Sequence, residues 1–185
     1  MNILLLGGSK FMGLELIESL INNVDNNIYV INRGKRYWNN EFYKIIKDRN
    51  NIFHFKSDRE NTTEFVNTLE KLKVHLRESN NKNKIFNFII DFSCFELYQT
   101  NDLLLPLNNL FEHYIFISSD STYNASEVFL QRKEKYFFTK MFHEIEYITE
   151  EMAIFPENLD QRKYLKKHDS YGYNKLKCEN VFIFI

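Results

Sequence analysis

Two side chains capable of acid–base chemistry, Tyr171 and Lys175, lie near the end of this chain of 185 residues. Residues four apart on a helix share one face, so a helix here would point the phenol and the ammonium in the same direction. A phenol that exchanges a proton near neutral pH needs a pKa about three units below its reference value of about 10, and a neighbouring ammonium provides such a shift. The spacing alone is weak evidence, because a chain with 11 Tyr contains it by chance, and KYFFTK at 135–140 has the same spacing of tyrosine and lysine.

A glycine-containing turn, GGSKFMG at 7–13, follows the first apolar run and leads into a segment with helical spacing. A tight turn needs glycine, and the amino end of a helix offers free N–H groups and a positive dipole to a diphosphate. Gly7 and Gly13 occupy the first and last positions of G-x-x-G-x-x-G, while Lys10 replaces the middle glycine. The alternative is a turn that only joins a strand to a helix. The motif begins at residue 7, directly between a predicted strand and a predicted helix, and this position favours a site for a dinucleotide diphosphate.

The end of the second apolar run reads INRGKR, where a dinucleotide-binding sequence would place an acid for the ribose. Instead of Asp or Glu the chain has Asn32, followed by Arg33, Lys35 and Arg36. A guanidinium grips phosphate with two parallel donors, and Lys10 could reach the same group. This pattern favours NADP over NAD, although a basic, solvated loop would look the same.

Strand and helix patterns alternate through the first two thirds of the chain. Short apolar runs predict strands at 3–6, 28–32, 51–58, 85–93 and 113–119, and helical spacing predicts helices at 11–23, 62–78 and 97–111. Such alternation predicts an α/β fold, a doubly wound parallel sheet covered on both sides. Residues 124–169 do not continue the alternation of strand and helix, and a charged helix within a long connecting segment is expected there.

Six segments in this order and spacing resemble the extended short-chain dehydrogenase/reductases. They are GGSKFMG, INRGK, KSDRE, IIDFS, FISSDSTY and YGYNKLKCE. The resemblance is closest to the NAD-dependent epimerase/dehydratase branch whose first turn reads GGTRF(I/V)G, a branch that includes chloroplast stem-loop-binding proteins. It covers nearly the whole chain apart from an insertion around 124–149. The resemblance implies one NAD(P)-binding Rossmann-like domain over residues 1–185.

The resemblance also implies roles for individual residues. Those expected to bind the cofactor are Gly7, Gly8, Ser9, Lys10, Phe11, Met12, Gly13, Asn32, Arg33, Asp58, Arg59, Phe92 and Ser93. Among them Asp58 would hydrogen-bond adenine. The expected catalytic residues are Ser119, Tyr171 and Lys175.

The sequence around Ser119 bears on the type of reaction. Sugar dehydratases of this class carry Asp-Glu after the serine or threonine, whereas here Asp120 precedes Ser121. Oxidation–reduction or epimerisation of a nucleotide sugar or a similar hydroxylated small molecule is therefore favoured over elimination.

Relatives continue well beyond the catalytic helix with a lobe that binds the substrate. We expect this chain, which stops at VFIFI, to be truncated before that lobe and therefore to lack the residues that would select the substrate. Homodimers are common in the class, and a homodimer is expected by analogy.

An RNA-binding protein that keeps the nucleotide fold without catalysis is the alternative function. The basic and aromatic runs QRKEKYFFTK at 131–140 and QRKYLKK at 161–167 could stack on and neutralise single-stranded RNA. Interleaved acids and a net charge of −1 argue against it, and against attraction to an anionic membrane.

The two cysteines and five histidines show no metal-ligand or disulfide spacing, so no metal is expected. The amino terminus resembles neither a signal peptide nor a membrane span, so a cytoplasmic location is expected.

Overall fold

The structure is a computed structural model, and it describes residues 1–34, 36–78, 85–127, 129–130 and 149–182. The chain divides into two compact units. The first consists of Met1–Cys94 and Tyr98–Ile117, and the second of Phe95–Leu97 and Ser118–Ile185. The expected single domain with an insertion around 124–149 remains a prediction, since residues 131–148 lie outside the described residues.

A parallel five-stranded sheet forms the centre of the first unit. Its strands are β1 (Asn2–Leu6), β2 (Asn27–Asn32), β3 (Ile52–Lys56), β4 (Phe86–Asp91) and β5 (Phe111–Phe116). The spatial order is β3-β2-β1-β4-β5, and all pairs are parallel. The strand order reverses between β1 and β4, which makes their carboxyl ends the topological switch point of the sheet.

Four helices accompany these strands: α1 (Phe11–Ile21), α2 (Arg36–Ile46), α3 (Thr62–Glu78) and α4 (Leu97–Leu104). The sequence did not predict α2, which begins inside the segment INRGKR, for which a basic, solvated loop was the alternative interpretation. Helix α4 is shorter than the expected 97–111, because Pro106 lacks an amide hydrogen and disfavours helical geometry at the residue before it. Strand β5 accordingly begins two residues earlier than expected, at Phe111.

Hydrophobic cores lie on both faces of the sheet, because successive strand residues point to opposite sides. On one face, side chains from β1 and β2 pack against α3: Leu4, Leu6, Tyr29, Ile31, Phe65, Leu69, Leu72 and Leu76. On the other face, the alternate residues of the same strands pack against α1 and α2: Ile3, Leu5, Ile28, Val30, Ile17, Ile21 and Phe42. The predicted doubly wound α/β architecture is confirmed.

The described part of the second unit is helical. It contains α5 (Ser121–Asn124), a 3-10 turn (Glu150–Met152), α6 (Leu159–His168) and α7 (Ser170–Phe182). The side chain of Asn158 accepts hydrogen bonds from the N–H groups of Asp160 and Gln161, which caps the amino end of α6. This is the charged helix expected within 124–169. A small core is formed by Ala125, Leu165 and Tyr173 with Phe129, Leu130 and Phe155 packed around it.

Candidate functional site

The turn after β1 has the backbone geometry that its glycines allow. Gly7 and Gly8 have φ values of 85° and 76°, in the left-handed region that favours glycine. A Cβ placed on Gly13 would lie 2.3 Å from the Cα of Gly8. Since real Cβ atoms do not approach backbone this closely, residue 13 must be glycine for α1 to start against the turn. The two outer glycines of the motif therefore have the physical roles that a diphosphate-binding turn requires.

The turn faces the segment after β4. A Cβ on Gly7 would lie 3.2 Å from the Cβ of Ser93, and one on Gly8 would lie 3.8 Å from a ring carbon of Phe92. The structure thus brings together Gly7, Gly8, Phe92 and Ser93 at the switch point between β1 and β4. Any side chain at position 7 would narrow the approach to this crevice, where open α/β sheets bind ligands.

The amino end of α1 has no side-chain cap. Lys10 is the N-cap residue with an extended backbone, and its side chain makes no capping hydrogen bond. No acidic residue occupies the first turn, and Phe11 and Met12 are exposed. Phe11 has a φ of 48°, a strained value for a residue with a side chain. The first N–H groups of the helix and its dipole are therefore not neutralised by a side-chain carboxylate.

The end of β2, where the sequence predicts the adenosine ribose, is held by side-chain hydrogen bonds. Asn32 is buried, and its Oδ1 accepts a 2.8 Å hydrogen bond from the Gly34 N–H and lies 2.9 Å from His54 Nε2. Burial, with a smaller effect from the charge of Lys56, lowers the pKa of His54 to about 4. His54 is therefore neutral at pH 7 and donates its Nε2 hydrogen to Asn32. Arg33 follows Asn32 and is exposed.

Arg59 has a role that the sequence did not indicate. We expected it beside Asp58 at the cofactor, but its side chain is buried. Its Nη1 lies 2.6 Å from Asp91 Oδ1, and its Nη2 donates a 2.9 Å hydrogen bond to the Gln99 carbonyl. Burial opposes its charge, but the carboxylate of Asp91 outweighs this and raises the pKa of Arg59. Asp58 is half-buried, and its Oδ1 accepts a hydrogen bond from the N–H of Glu60.

Asp91 connects three segments of the first unit and was missed by the sequence analysis. Besides Arg59, its carboxylate accepts a 3.0 Å hydrogen bond from the Ser93 N–H and a 2.9 Å bond from the Tyr114 hydroxyl. Burial and this carboxylate raise the pKa of Tyr114 far above its ordinary value. The segment Phe92–Ser93 at the crevice is therefore held in place by the buried carboxylate of Asp91, whose charge is paired with Arg59.

In the second unit, Tyr171 and Lys175 lie on α7 as expected. Tyr171 is 42% exposed, whereas Lys175 is only 2% exposed. The ring of Phe95 contacts both: its centroid is 5.9 Å from that of Tyr171 and 5.3 Å from the Lys175 ammonium. A cation over an aromatic face is stabilised by the ring quadrupole. Phe95 was not among the expected site residues, since its place here depends on the fold.

Ser119 lies in a turn that begins α5. Its Oγ accepts a hydrogen bond of 3.2 Å from the Ser121 N–H and donates one of 3.3 Å to Asp120. A Cβ on Gly172 would lie 2.1 Å from the carbonyl oxygen of Ser121. This close approach fixes the first turn of α7, which carries Tyr171, against the segment that carries Ser119.

No group of three or more His, Cys, Asp or Glu side chains in the described part of the chain could hold a metal ion. None of its helices is long and apolar enough to cross a membrane.

No protein-family model and no curated protein matches this sequence. Solved structures do match. One is UDP-glucuronic acid 4-epimerase from Bacillus cereus in complex with UDP-glucuronic acid and NAD, with a TM-score of 0.58 and 15% identity over 97% of this chain and 50% of that one. Another is dTDP-glucose 4,6-dehydratase from Bacillus anthracis in complex with NAD, with a TM-score of 0.55 and 17% identity over 93% and 52% of the two chains.

A third structure is a short-chain dehydrogenase/reductase of the wide type from Veillonella parvula in complex with NADP. It has a TM-score of 0.54 and 14% identity over 98% of this chain and 63% of that one. This chain thus spans about half to two thirds of the length of these three structures. The likeness shows that the chain has the Rossmann-like fold that these enzymes share.

Proposed function

We propose that this chain is part of an NAD(P)-dependent oxidoreductase or epimerase of the extended short-chain dehydrogenase type. Its substrate would be a nucleotide sugar or a similar hydroxylated molecule. The observation that carries the proposal is the turn after β1, in which Gly13 packs so closely on Gly8 that a Cβ would be 2.3 Å from its Cα. Such a turn leaves main-chain N–H groups open to an anion at the start of α1.

The residues of the first unit fit a dinucleotide. The turn offers amides and a helix dipole to the diphosphate, while Phe92 and Ser93 border the same crevice. Asn32 and Arg33 lie at the strand end where the adenosine ribose would be held. When bound, a nicotinamide dinucleotide supplies a carbon that accepts or returns a hydride.

The residues of the second unit fit proton transfer. Tyr171 is exposed enough to reach a substrate hydroxyl, from which its phenolic oxygen would take a proton and to which it would return one. The buried ammonium of Lys175 would stabilise the phenolate form of Tyr171, which is the form that can take the proton. Ser119 would donate a hydrogen bond to the substrate oxygen and orient it.

The solved structures with this fold support the substrate class. One is an epimerase in complex with UDP-glucuronic acid, and another is a dTDP-glucose dehydratase. Ser121 follows Asp120, where the dehydratases of this class carry a glutamate. We therefore favour oxidation–reduction or epimerisation over loss of water.

The proposal is tested by titrating the purified protein with NADPH and NADH and following nicotinamide fluorescence. We expect saturable binding of at least one of them. Gly13→Ala should weaken it by about 10-fold or more, because the new methyl group displaces the turn from α1. Ser19→Ala, an exposed change on the same helix, is the matched control and should bind as the wild type does.

A folded wild-type protein that binds neither nucleotide would contradict the proposal. Retention of single-stranded RNA that weakens with salt, together with no nucleotide binding, would favour the alternative of an RNA-binding protein without catalysis. Circular dichroism of each variant separates loss of binding from loss of folding.

A further inference from the structure

The carboxyl ends of β2 and β3 carry a lysine that the sequence analysis did not consider. Lys56 is the last residue of β3 and pairs in register with Asn32, the last residue of β2. Directly paired residues of neighbouring strands point to the same face of a sheet. The Ser57 N–H also donates a 2.9 Å hydrogen bond to the Asn32 carbonyl. Lys56 therefore lies beside the position proposed for the adenosine ribose.

The stem of Lys56 is packed although the residue as a whole is exposed. A Cβ on Gly34 would lie 2.9 Å from the Cγ and Cδ of Lys56 and 3.1 Å from its Cε. The methylene groups thus run over the turn between β2 and α2. The ammonium lies 6.0 Å from the centroid of the Tyr43 ring. A stem that is already packed loses less conformational freedom when its ammonium binds a ligand.

The polar groups around Lys56 leave two cations and one donor available to an anion. Among the described residues, neither Lys56 nor Arg33 forms an ion pair. His54 is neutral, and its hydrogen is taken by Asn32 Oδ1. Asn32 is only 9% exposed. Its Nδ2 has no hydrogen-bond partner in the described part of the chain.

We propose that Lys56, together with Arg33, binds the phosphate on the 2′-oxygen of the adenosine ribose and so selects NADP over NAD. This inference rests on the proposed function and adds a specificity-determining residue to it. A 2′-phosphate monoester carries nearly two negative charges, and hydrogen bonds from charged donors to phosphate are the strong ones. The ammonium acts as a point charge on a packed stem, while the Arg33 guanidinium can bind two phosphate oxygens.

The test compares wild type, Lys56→Gln and a control, Lys44→Gln. Glutamine keeps most of the aliphatic stem over Gly34 but removes the charge. Lys44 is an exposed lysine in the last turn of α2, so its replacement changes the net charge equally. For Lys56→Gln we expect the Kd of NADPH to rise by about 10-fold or more while that of NADH changes by less than about 2-fold. The control should change neither.

Adenosine 2′,5′-bisphosphate and AMP serve as smaller probes. The wild type should bind the bisphosphate more tightly than AMP, and this difference should shrink in Lys56→Gln. Lys56→Arg should retain the preference because it keeps the charge. Raising the salt concentration should weaken NADPH binding more steeply than NADH binding in the wild type, and this difference in salt dependence should be smaller in Lys56→Gln, which keeps only Arg33.

Two results would overturn the inference and are distinguishable. If both nucleotides bind but Lys56→Gln leaves the ratio of their Kd values unchanged, the assignment of Lys56 is wrong and the proposed function stands. If the folded wild type binds neither nucleotide nor the bisphosphate, the proposed function fails and this inference fails with it.

Discussion

At the scale of single residues, Asp91 has the most constrained environment in the first unit. Its carboxylate is completely buried, and a buried charge is tolerated only when it is paired and hydrogen-bonded. It accepts from Arg59, from the Ser93 N–H and from Tyr114, which lie after β3, after β4 and on β5. The segment that faces the glycine turn is therefore tied to two other parts of the sheet.

Tyr114→Phe removes one of these hydrogen bonds and leaves the ion pair intact. We expect the free energy of unfolding to fall by about 1.5–3 kcal/mol, because the lost bond is to a buried charged acceptor. Urea unfolding measures this change. Tyr98→Phe, at an exposed tyrosine, is the control and should change stability by less than about 0.5 kcal/mol. Equal stability of the two variants would show that the Tyr114 bond contributes nothing net.

The residues of the glycine turn were predictable because their conformational requirement is local. A tight turn between a strand and a helix requires glycine at set positions, and Gly7, Gly8 and Gly13 meet that requirement. The ion pair between Arg59 and Asp91 was not predictable, since the partners are 32 residues apart and meet only when β3 and β4 are placed in the sheet. The expectation of Arg59 at the cofactor was made without this internal partner, and it stays a prediction.

At the scale of helices and strands, α7 is positioned by its first turn. The Asp169 side chain accepts a 2.8 Å hydrogen bond from the Gly172 N–H and so caps the helix. The absence of a side chain at Gly172 lets the helix approach the Ser121 carbonyl of α5. Both features precede Lys175 by less than two turns and determine where its face of the helix points.

Gly172→Ala should destabilise the protein, although glycine to alanine in a helix interior ordinarily stabilises by about 1 kcal/mol. The new methyl group would lie 2.1 Å from a backbone oxygen, which cannot move without displacing α5. We expect a net loss of about 1–3 kcal/mol, the usual cost of overpacking. Thermal unfolding measures it, with Lys177→Ala on the exposed side of α7 as the control. A stabilised Gly172→Ala would mean that the two helices are not in close contact.

The elements that sequence patterns missed have identifiable physical reasons. Helix α2 begins at Arg36 within a basic stretch that lacks a capping residue before it, so it looked like a loop. The carboxyl end of α4 was overestimated because the apolar run around Leu104 and Leu105 continues past the helix. By contrast, β1 was evident because residues 3–6 form an apolar run that ends at two glycines, and the structure extends the strand by one residue, to Asn2.

At the scale of the whole molecule, the charges nearly cancel. The 24 Lys and Arg and 25 Asp and Glu residues give a net charge of −1 at pH 7. General charge repulsion therefore contributes little to the free energy of unfolding near neutral pH. How stability changes with mild acid then depends on individual groups whose pKa differs between the folded and unfolded states.

His54 is the group with such a difference in the mildly acidic range. Its pKa is about 4 in the folded protein, against an ordinary value of 6.5, because of burial and the charge of Lys56. As the pH falls below about 6.5, the unfolded chain gains a proton at His54 that the folded chain does not, so stability is lost until the folded pKa is reached. Below about pH 4 both states are protonated and this loss stops.

His54→Gln isolates this effect, because an amide can still donate to Asn32 Oδ1 but does not titrate. Between pH 7 and about 4.5 we expect the stability of the wild type to fall by about 1–2 kcal/mol more than that of the variant, a figure reduced for the partial solvent screening of a half-buried ring. Urea unfolding at a series of pH values measures both curves, and shared contributions from carboxylates cancel in their difference. Parallel curves would show that His54 is protonated equally in both states, and would contradict a neutral imidazole bound to Asn32.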